Sequence, residues 1–223
     1  MNIEPVFSDQ QIIVIDKPAG IPVLPDGWDM DAPFLVQLLE AEYGKLWVVH
    51  RLDKTTSGVM VFARTVEAHR SLNIQFDRHE VIKVYHAICN GDPRWEEHTA
   101  RHPLRIDVGH SHRSVVDNAK GIPAETTFRV MQRFGRFSLL EVLPGSGRTH
   151  QIRVHAYALG FPLLGDVLYS APKTDMISRP ALHAKSLTFV HPGSGERMPF
   201  ATPYPEDFDH VLKKLQQMNS PKR

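Results

Sequence analysis

A guanidinium, Arg51, and a carboxylate, Asp53, stand two residues apart in the segment His50-Arg-Leu-Asp-Lys-Thr-Thr-Ser-Gly58. Alternate side chains of an extended chain share one side, so the two can face a common partner. A carboxylate beside an arginine stays ionised at neutral pH, which suits a nucleophile or a base more than an acid. Taken alone, the residues leave a second reading open, a surface Asp–Arg pair that holds a hairpin. Ser57 lacks the Gly-x-Ser-x-Gly setting of a hydrolase nucleophile and reads as a turn former. Cys89 lies inside an apolar strand pattern, where a thiol is small core filler.

Gly145-Ser-Gly-Arg-Thr-His150 is the second chemically loaded string. No Walker A sequence occurs, and a dinucleotide fingerprint would need a third glycine where His150 stands, so ATP and NAD have no support. Glycines that leave a strand and open a helix aim backbone N–H groups, here with Arg148 beside them, at any nearby anion. A strand-to-helix turn that binds nothing fits the same letters, and both readings stay open. The 13 histidines invite a metal. However, His150 and His155 lie about 140° apart around a helix axis, His-Glu-x-x-His is absent, and His110-Ser-His112 has no cysteine nearby. No metal site is expected.

The elements that must position these residues follow from pattern. Gln11–Asp16 is a β-branched run stopped by Lys17-Pro-Ala-Gly20, a buried strand entering a turn, and the proline-rich stretch 21–33 reads as an irregular loop. Leu35, Leu38, Leu39 and Tyr43 fall at helical spacing before Gly44. Residues 47–49 and 59–63 read as strands flanking the Arg51–Asp53 loop, and 65–76 as a helix with Thr65 at its N-cap. Strands are expected at 81–89, 124–131, 137–143 and 186–190, with helices after Gly147, where Ile152, His155, Ala156 and Leu159 share a face, and over 208–218. Residues 94–120 gather Arg94, Arg101, Arg105, Arg113 and Lys120 with four histidines, and read as an exposed, basic, loop-rich insertion. Strands outnumber helices, so the expected class is α+β with a mostly antiparallel sheet.

Length and composition bound the rest. The chain has 223 residues, 42% of them apolar, enough for a real core in one domain or two closely packed lobes. Lys and Arg number 26 against 25 Asp and Glu, so bulk charge announces no polyanion partner and any such site must be local. One cysteine excludes an intrachain disulfide, and no segment has the roughly 18 apolar residues of a bilayer span. A reducing, cytoplasmic setting is expected.

The string His50 to Gly58 closely resembles the signature of the RluA-type pseudouridine synthases, His-Arg-Leu-Asp, two variable residues, Thr-Ser-Gly. Asp16-Lys-Pro-Ala-Gly20, Lys83-Val-Tyr-His-Ala87 with Gly91, and Gly147-Arg-Thr-His-Gln-Ile-Arg-Val-His155 resemble further segments of that family in the same order. Gly165-Asp166, Leu182-His-Ala184 and His191-Pro192 extend the likeness over nearly the whole chain. The resemblance implies one catalytic domain over residues 1–223, a mixed, mostly antiparallel central sheet flanked by helices and loops, and a catalytic cleft across it. No room is expected for the small N-terminal RNA-binding domain of several rRNA-directed relatives.

By the same resemblance Asp53 is the catalytic carboxylate, which lets uracil leave C1′, rotate and rejoin through C5. Tyr85 is the aromatic that stacks on uracil, Ile152 the apolar residue against the base, and Arg153 the guanidinium that pairs with the carboxylate. Arg51 fills the gap left by the extruded uridine, since a stacked base cannot be reached at C1′ and a planar cation can take its place. No cofactor, metal or protein partner is implied. RNA is the partner, as a stem-loop of rRNA, tRNA or both, and a monomer is expected. Arg101, Arg105, Arg113 and Arg148 are candidates for the RNA backbone. Two other classes weighed are a silent RNA-binding factor and a glycosidic hydrolase. The first is disfavoured by the intact Asp53, Tyr85 and Arg153, the second by the lack of a second carboxylate near Asp53.

Overall fold

A computed structural model describes residues 3–25, 32–109 and 113–219. Part of the expected loop at 21–33, and His110 and His112, lie outside the described residues. In chain order the elements are β1 (Pro5–Ser8), β2 (Ile12–Lys17), α1 (Leu35–Tyr43), β3 (Trp47–Val48), β4 (Ser57–Ala63), α2 (Val66–Asp77), β5 (Ile82–Asn90), β6 (Glu97–Ala100), β7 (Leu104–Val108), β8 (Arg113–Val116), β9 (Thr126–Arg133), β10 (Phe137–Pro144), α3 (Gln151–Ala158), a single 3-10 turn (Val167–Tyr169), β11 (Leu182–Val190), β12 (Arg197–Ala201) and α4 (Glu206–Asn219). The class is α+β, and every strand pair with a described register is antiparallel.

The chain forms two compact units, Met1–Lys83 with Ala184–Pro203, and Val84–His183 with Tyr204–Arg223. In the first, β1 pairs with β2, β2 with β4, and β11 with β12. The register sets Ile12 opposite Ala63 and Val14 opposite Val61, so one face of the β2–β4 pair is aliphatic up to its end, where Asp16 stands opposite Val59. Ala68 and Leu72 of α2 join that cluster with Leu187 and Phe189 of β11. Ile13, Ile15, Met60 and Phe62, on the opposite face, are equally buried. Burial on both faces explains why β2 and β4 read as continuous apolar runs without alternation. Thr65 caps α2 by accepting from the Ala68 N–H at 3.1 Å, as its position before the helix predicts, a bond worth about 1 kcal/mol.

In the second unit β5, β10, β9 and β6 lie side by side in that order. Val142 sits opposite Tyr85 and Leu140 opposite Ala87, which gives β10 and β5 a shared apolar face. Ile152 and Ala156 of α3 pack there with Leu163 and Leu182. Phe208, Val211, Leu212 and Leu215, spaced by three and four along α4, bury against Ile88, Phe134 and Leu139.

Several expectations need correction. Residues 94–120 are not a loop-rich insertion: β6 pairs with β9, and β7 with β8 forms its own hairpin. Their charged residues occupy exposed positions, while Ala100, Leu104 and Ser114 are buried between them. An edge strand and a hairpin that each bury only a few positions carry too little apolar signal to be read as strands. The short strands β1 and β12 escape the sequence pattern for the same reason. β9 starts two residues later than expected and α4 two residues earlier, ordinary uncertainty at element ends.

Candidate active site

Arg51 and Asp53 belong to the first unit, and Tyr85, Ile152 and Arg153 to the second. The loop between β3 and β4 has the side alternation that its spacing predicts: Arg51 is exposed, Leu52 is buried and Asp53 is half-buried. Its backbone turns at Asp53, whose carbonyl accepts from the Thr56 N–H at 3.0 Å.

A cation holds this loop from below. Lys17, at the end of β2, is fully buried, and its ammonium donates to the carbonyls of Pro18 at 2.8 Å, Thr56 at 2.9 Å and Lys54 at 3.3 Å. The Gly20 N–H adds a 2.7 Å bond to the Lys54 carbonyl. Three donors on one buried nitrogen match two carbonyls of the loop, those of Lys54 and Thr56, and that of Pro18 in the turn after β2, so Lys17 acts as a structural cation under the chain that carries Asp53.

His50 anchors the entry to the loop. Its ring stacks on Phe76 with centroids 4.7 Å apart, and Nε2 accepts from the Val61 N–H at 3.2 Å. Burial, aided by the nearby Lys83 charge, pushes its pKa down to about 3, so the ring is neutral and Nδ1 carries the proton. Gly58 closes the loop at φ +118°, where a Cβ would lie 2.2 Å from the Ala184 carbonyl oxygen. Only glycine fits both that dihedral and that approach.

In the second unit Tyr85, half-buried on β5, packs against the cluster that contains Ile152, so these two residues share one apolar wall. The turn before α3 explains how Ile152 and Arg153 are presented. Gln151 folds back, its Oε1 accepting from Ser146 Oγ at 2.6 Å and from the Arg148 N–H at 3.1 Å. Its Nε2 donates to the Glu125 carbonyl and to Thr126 Oγ1. The Gly145 N–H is also engaged, on the Glu125 carbonyl at 2.9 Å. Two of the N–H groups that could have received an anion thus serve internal bonds, which favours the structural reading of this turn. His155 places both ring nitrogens on protein oxygens, those of Thr126 Oγ1 and the His102 carbonyl. Among the described residues no three of His, Cys, Asp and Glu gather so as to hold a metal ion.

Arg153 is buried and makes a two-point ion pair with Asp166, Nε to Oδ2 at 2.7 Å and NH2 to Oδ1 at 2.8 Å. Asp166 is the residue to which sequence reasoning assigns no role. Gly165-Asp166 stands in the sequence as a family likeness alone, and pairing across 13 positions leaves no local signal. Of the backbone candidates, Arg101 is paired with Glu125 at 2.7 Å and Arg105 with Asp117 at 3.3 Å. Arg113 and Arg148 are exposed and make no ion pair among the described residues. No helix among the described residues is long and apolar enough to cross a membrane.

Residues 11–158 match the model of the family described as RNA pseudouridylate synthase, and the chain belongs to that family. It is an RNA pseudouridine synthase, an isomerase that moves uracil from an N1 to a C5 glycosidic link. The chain is 35% identical to ribosomal large subunit pseudouridine synthase D of Zymomonas mobilis, over 97% of this chain and 74% of that protein. It is 38% identical to the protein of that name from Pseudomonas aeruginosa, over 97% and 73%. Among solved structures it is similar to human RNA pseudouridylate synthase domain containing 4, with a TM-score of 0.76 and 26% identity over 95% of this chain and 92% of that one.

Proposed function

We propose that this enzyme isomerises a specific uridine in structured RNA, at a stem-loop of ribosomal RNA, transfer RNA or both, with Asp53 as nucleophile and the target nucleotide flipped out of its helix. The observation that carries the reading is the setting of Asp53. It is a half-buried carboxylate on a loop tied by a buried ammonium, with Arg51 exposed two residues before it. The names of the bacterial relatives support the ribosomal arm.

In this mechanism the Asp53 carboxylate acts at C1′, the N1–C1′ bond breaks, the uracil turns, and C5 bonds to C1′ as the carboxylate leaves. C5 loses its proton to water and N1 gains one, so atoms and electrons balance within the nucleotide. Tyr85 stacks on the uracil and Ile152 covers it, a role their shared apolar wall suits. Arg51 enters the vacated stack, and Arg153 offsets the charge of the carboxylate. Arg101, Arg105, Arg113 and Arg148 meet RNA phosphates. The enzyme acts in the cytoplasm as a monomer.

Release of tritium from RNA labelled at uridine C5 tests the reading, because only the isomerisation exchanges that hydrogen. Asp53→Asn and Asp53→Ala are expected to lower release by at least about a thousandfold while RNA binding persists. Normal turnover in either variant removes Asp53 from the mechanism.

A further inference from the structure

Arg153 is held from two directions by residues of one short turn. Asp166 takes Nε and NH2 in the plane of the guanidinium. Tyr169 lies under that plane, with the Arg153 Cζ 5.2 Å from its ring centroid. Asp166 immediately precedes the 3-10 turn and Tyr169 ends it, and residues three apart in such a turn eclipse one another. Both therefore project toward the same partner. An in-plane fork and an out-of-plane ring together leave a guanidinium little rotational freedom.

The far side of Tyr169 is pinned as well. Its ring is buried, and its hydroxyl donates to the Ser114 carbonyl at 3.0 Å and accepts from the Ser114 N–H at 3.0 Å. His150 Nδ1 lies 3.2 Å from the same oxygen. Ser114 is the buried residue of β8, and its Oγ bonds the Thr149 carbonyl just before α3. His150 itself adopts φ +55°, a left-handed conformation that costs a non-glycine residue about 1 kcal/mol. The strain is retained where the ring meets Tyr169.

We propose that Tyr169 is a positioning residue for Arg153, and that its hydroxyl ties the guanidinium to the β7–β8 hairpin through Ser114, so that hairpin and cation are set as one piece. The proposal deepens the functional reading above and rests on Arg153 acting toward the reacting uridine. Tyr169 touches neither RNA nor the reacting atoms in this scheme. It acts on the rate only through Arg153.

The test is single-turnover tritium release at saturating labelled large-subunit rRNA and tRNA, with RNA affinity and thermal midpoint measured alongside. Tyr169→Phe keeps the ring and removes the hydroxyl. It is expected to slow the saturating rate about tenfold, since a displacement near 1 Å costs up to about 100-fold, with RNA affinity changed less than about twofold. Ser114→Ala removes only the Oγ bond to the Thr149 carbonyl and keeps both backbone bonds to Tyr169, so it serves as the control and is expected to leave the saturating rate within about twofold. Arg153→Lys, which keeps charge but not the fork, supplies the background for a double-mutant cycle. There Tyr169→Phe is expected to cost nothing further. An unchanged saturating rate in Tyr169→Phe, or costs that add fully to Arg153→Lys, overturns the proposal and leaves the role of Arg153 intact. Wild-type turnover in Arg153→Lys and Arg153→Ala instead overturns that role, and the proposal with it.

Discussion

Replacing Lys17 by methionine keeps most of the buried stem and deletes the ammonium under the Asp53 loop. The Lys54 carbonyl retains the Gly20 N–H at 2.7 Å, but the Pro18 and Thr56 carbonyls lose the donors they have at 2.8 and 2.9 Å. Each carbonyl left without its donor in a buried site costs about 1–3 kcal/mol, or about 2–6 kcal/mol for the two. Relief from burying a cation offsets part of this, so a net loss of about 2–4 kcal/mol is expected. In a chain of this size that lowers the thermal midpoint by roughly 4–16 °C. Because the Asp53 carbonyl is bonded to the Thr56 N–H, relaxation at Thr56 reaches the backbone of Asp53, the proposed nucleophile, directly. A shift near 1 Å would slow the chemical step about 100-fold even where the protein stays folded. Urea unfolding and single-turnover tritium release at a temperature well below the transition separate the two effects. A Lys17→Met protein within about 0.5 kcal/mol of wild type and equally fast would refute the reasoning, because the ammonium bonds to the Lys54 and Thr56 carbonyls would then hold nothing.

Three further outcomes follow from the geometry. Gly58→Ala forces a Cβ to within 2.2 Å of the Ala184 carbonyl at a φ unfavourable to alanine, and is expected to cost more than about 3 kcal/mol in urea unfolding; a near-neutral change would contradict the packing at that point. The pKa of His50 is about 3 in the native state against an ordinary 6.5, so between those values the unfolded chain takes up a proton that the native chain refuses, and stability rises with pH across that window and is fully present above it. His50→Gln should flatten the rise in urea midpoint between about pH 4 and 7, and an identical slope would assign the acid sensitivity elsewhere. Neutralising Arg113 and Arg148 together should reduce the slope of log affinity against log salt by about one unit for each RNA phosphate that they neutralise, whereas an unchanged slope would take both residues off the RNA.

Much of the site is legible in the amino-acid order because its chemistry is local in the chain. Arg51 and Asp53, proposed to act together, stand on one loop, so a spacing of two predicts a common side, and burial of Leu52 between them follows the same alternation. β2, β4 and α2 are readable because a strand buried on both faces, or a helix with one buried stripe, writes its environment into consecutive letters. The hairpin at β7–β8 is misread because most of its residues face solvent, and the few that do not, such as Leu104 and Ser114, lack any period.

The sequence by itself determined the α+β class and the strands and helices of the core, since each is set by neighbours one to four positions away, and its family resemblance supplied the residues proposed to carry the chemistry. Tertiary structure alone decided that Lys17 lies beneath the Asp53 loop, that Arg153 is held by Asp166 and Tyr169, and that Arg101 and Arg105 are ion-paired while Arg113 and Arg148 make no such pair among the described residues. Each of these contacts joins positions at least a dozen residues apart. The buried cations of Lys17 and Arg153 take these partners because packing removes water and leaves them as the remaining acceptors, and the exposed Arg101 and Arg105 meet carboxylates that pairing of distant segments brings alongside; no short stretch of sequence encodes either condition.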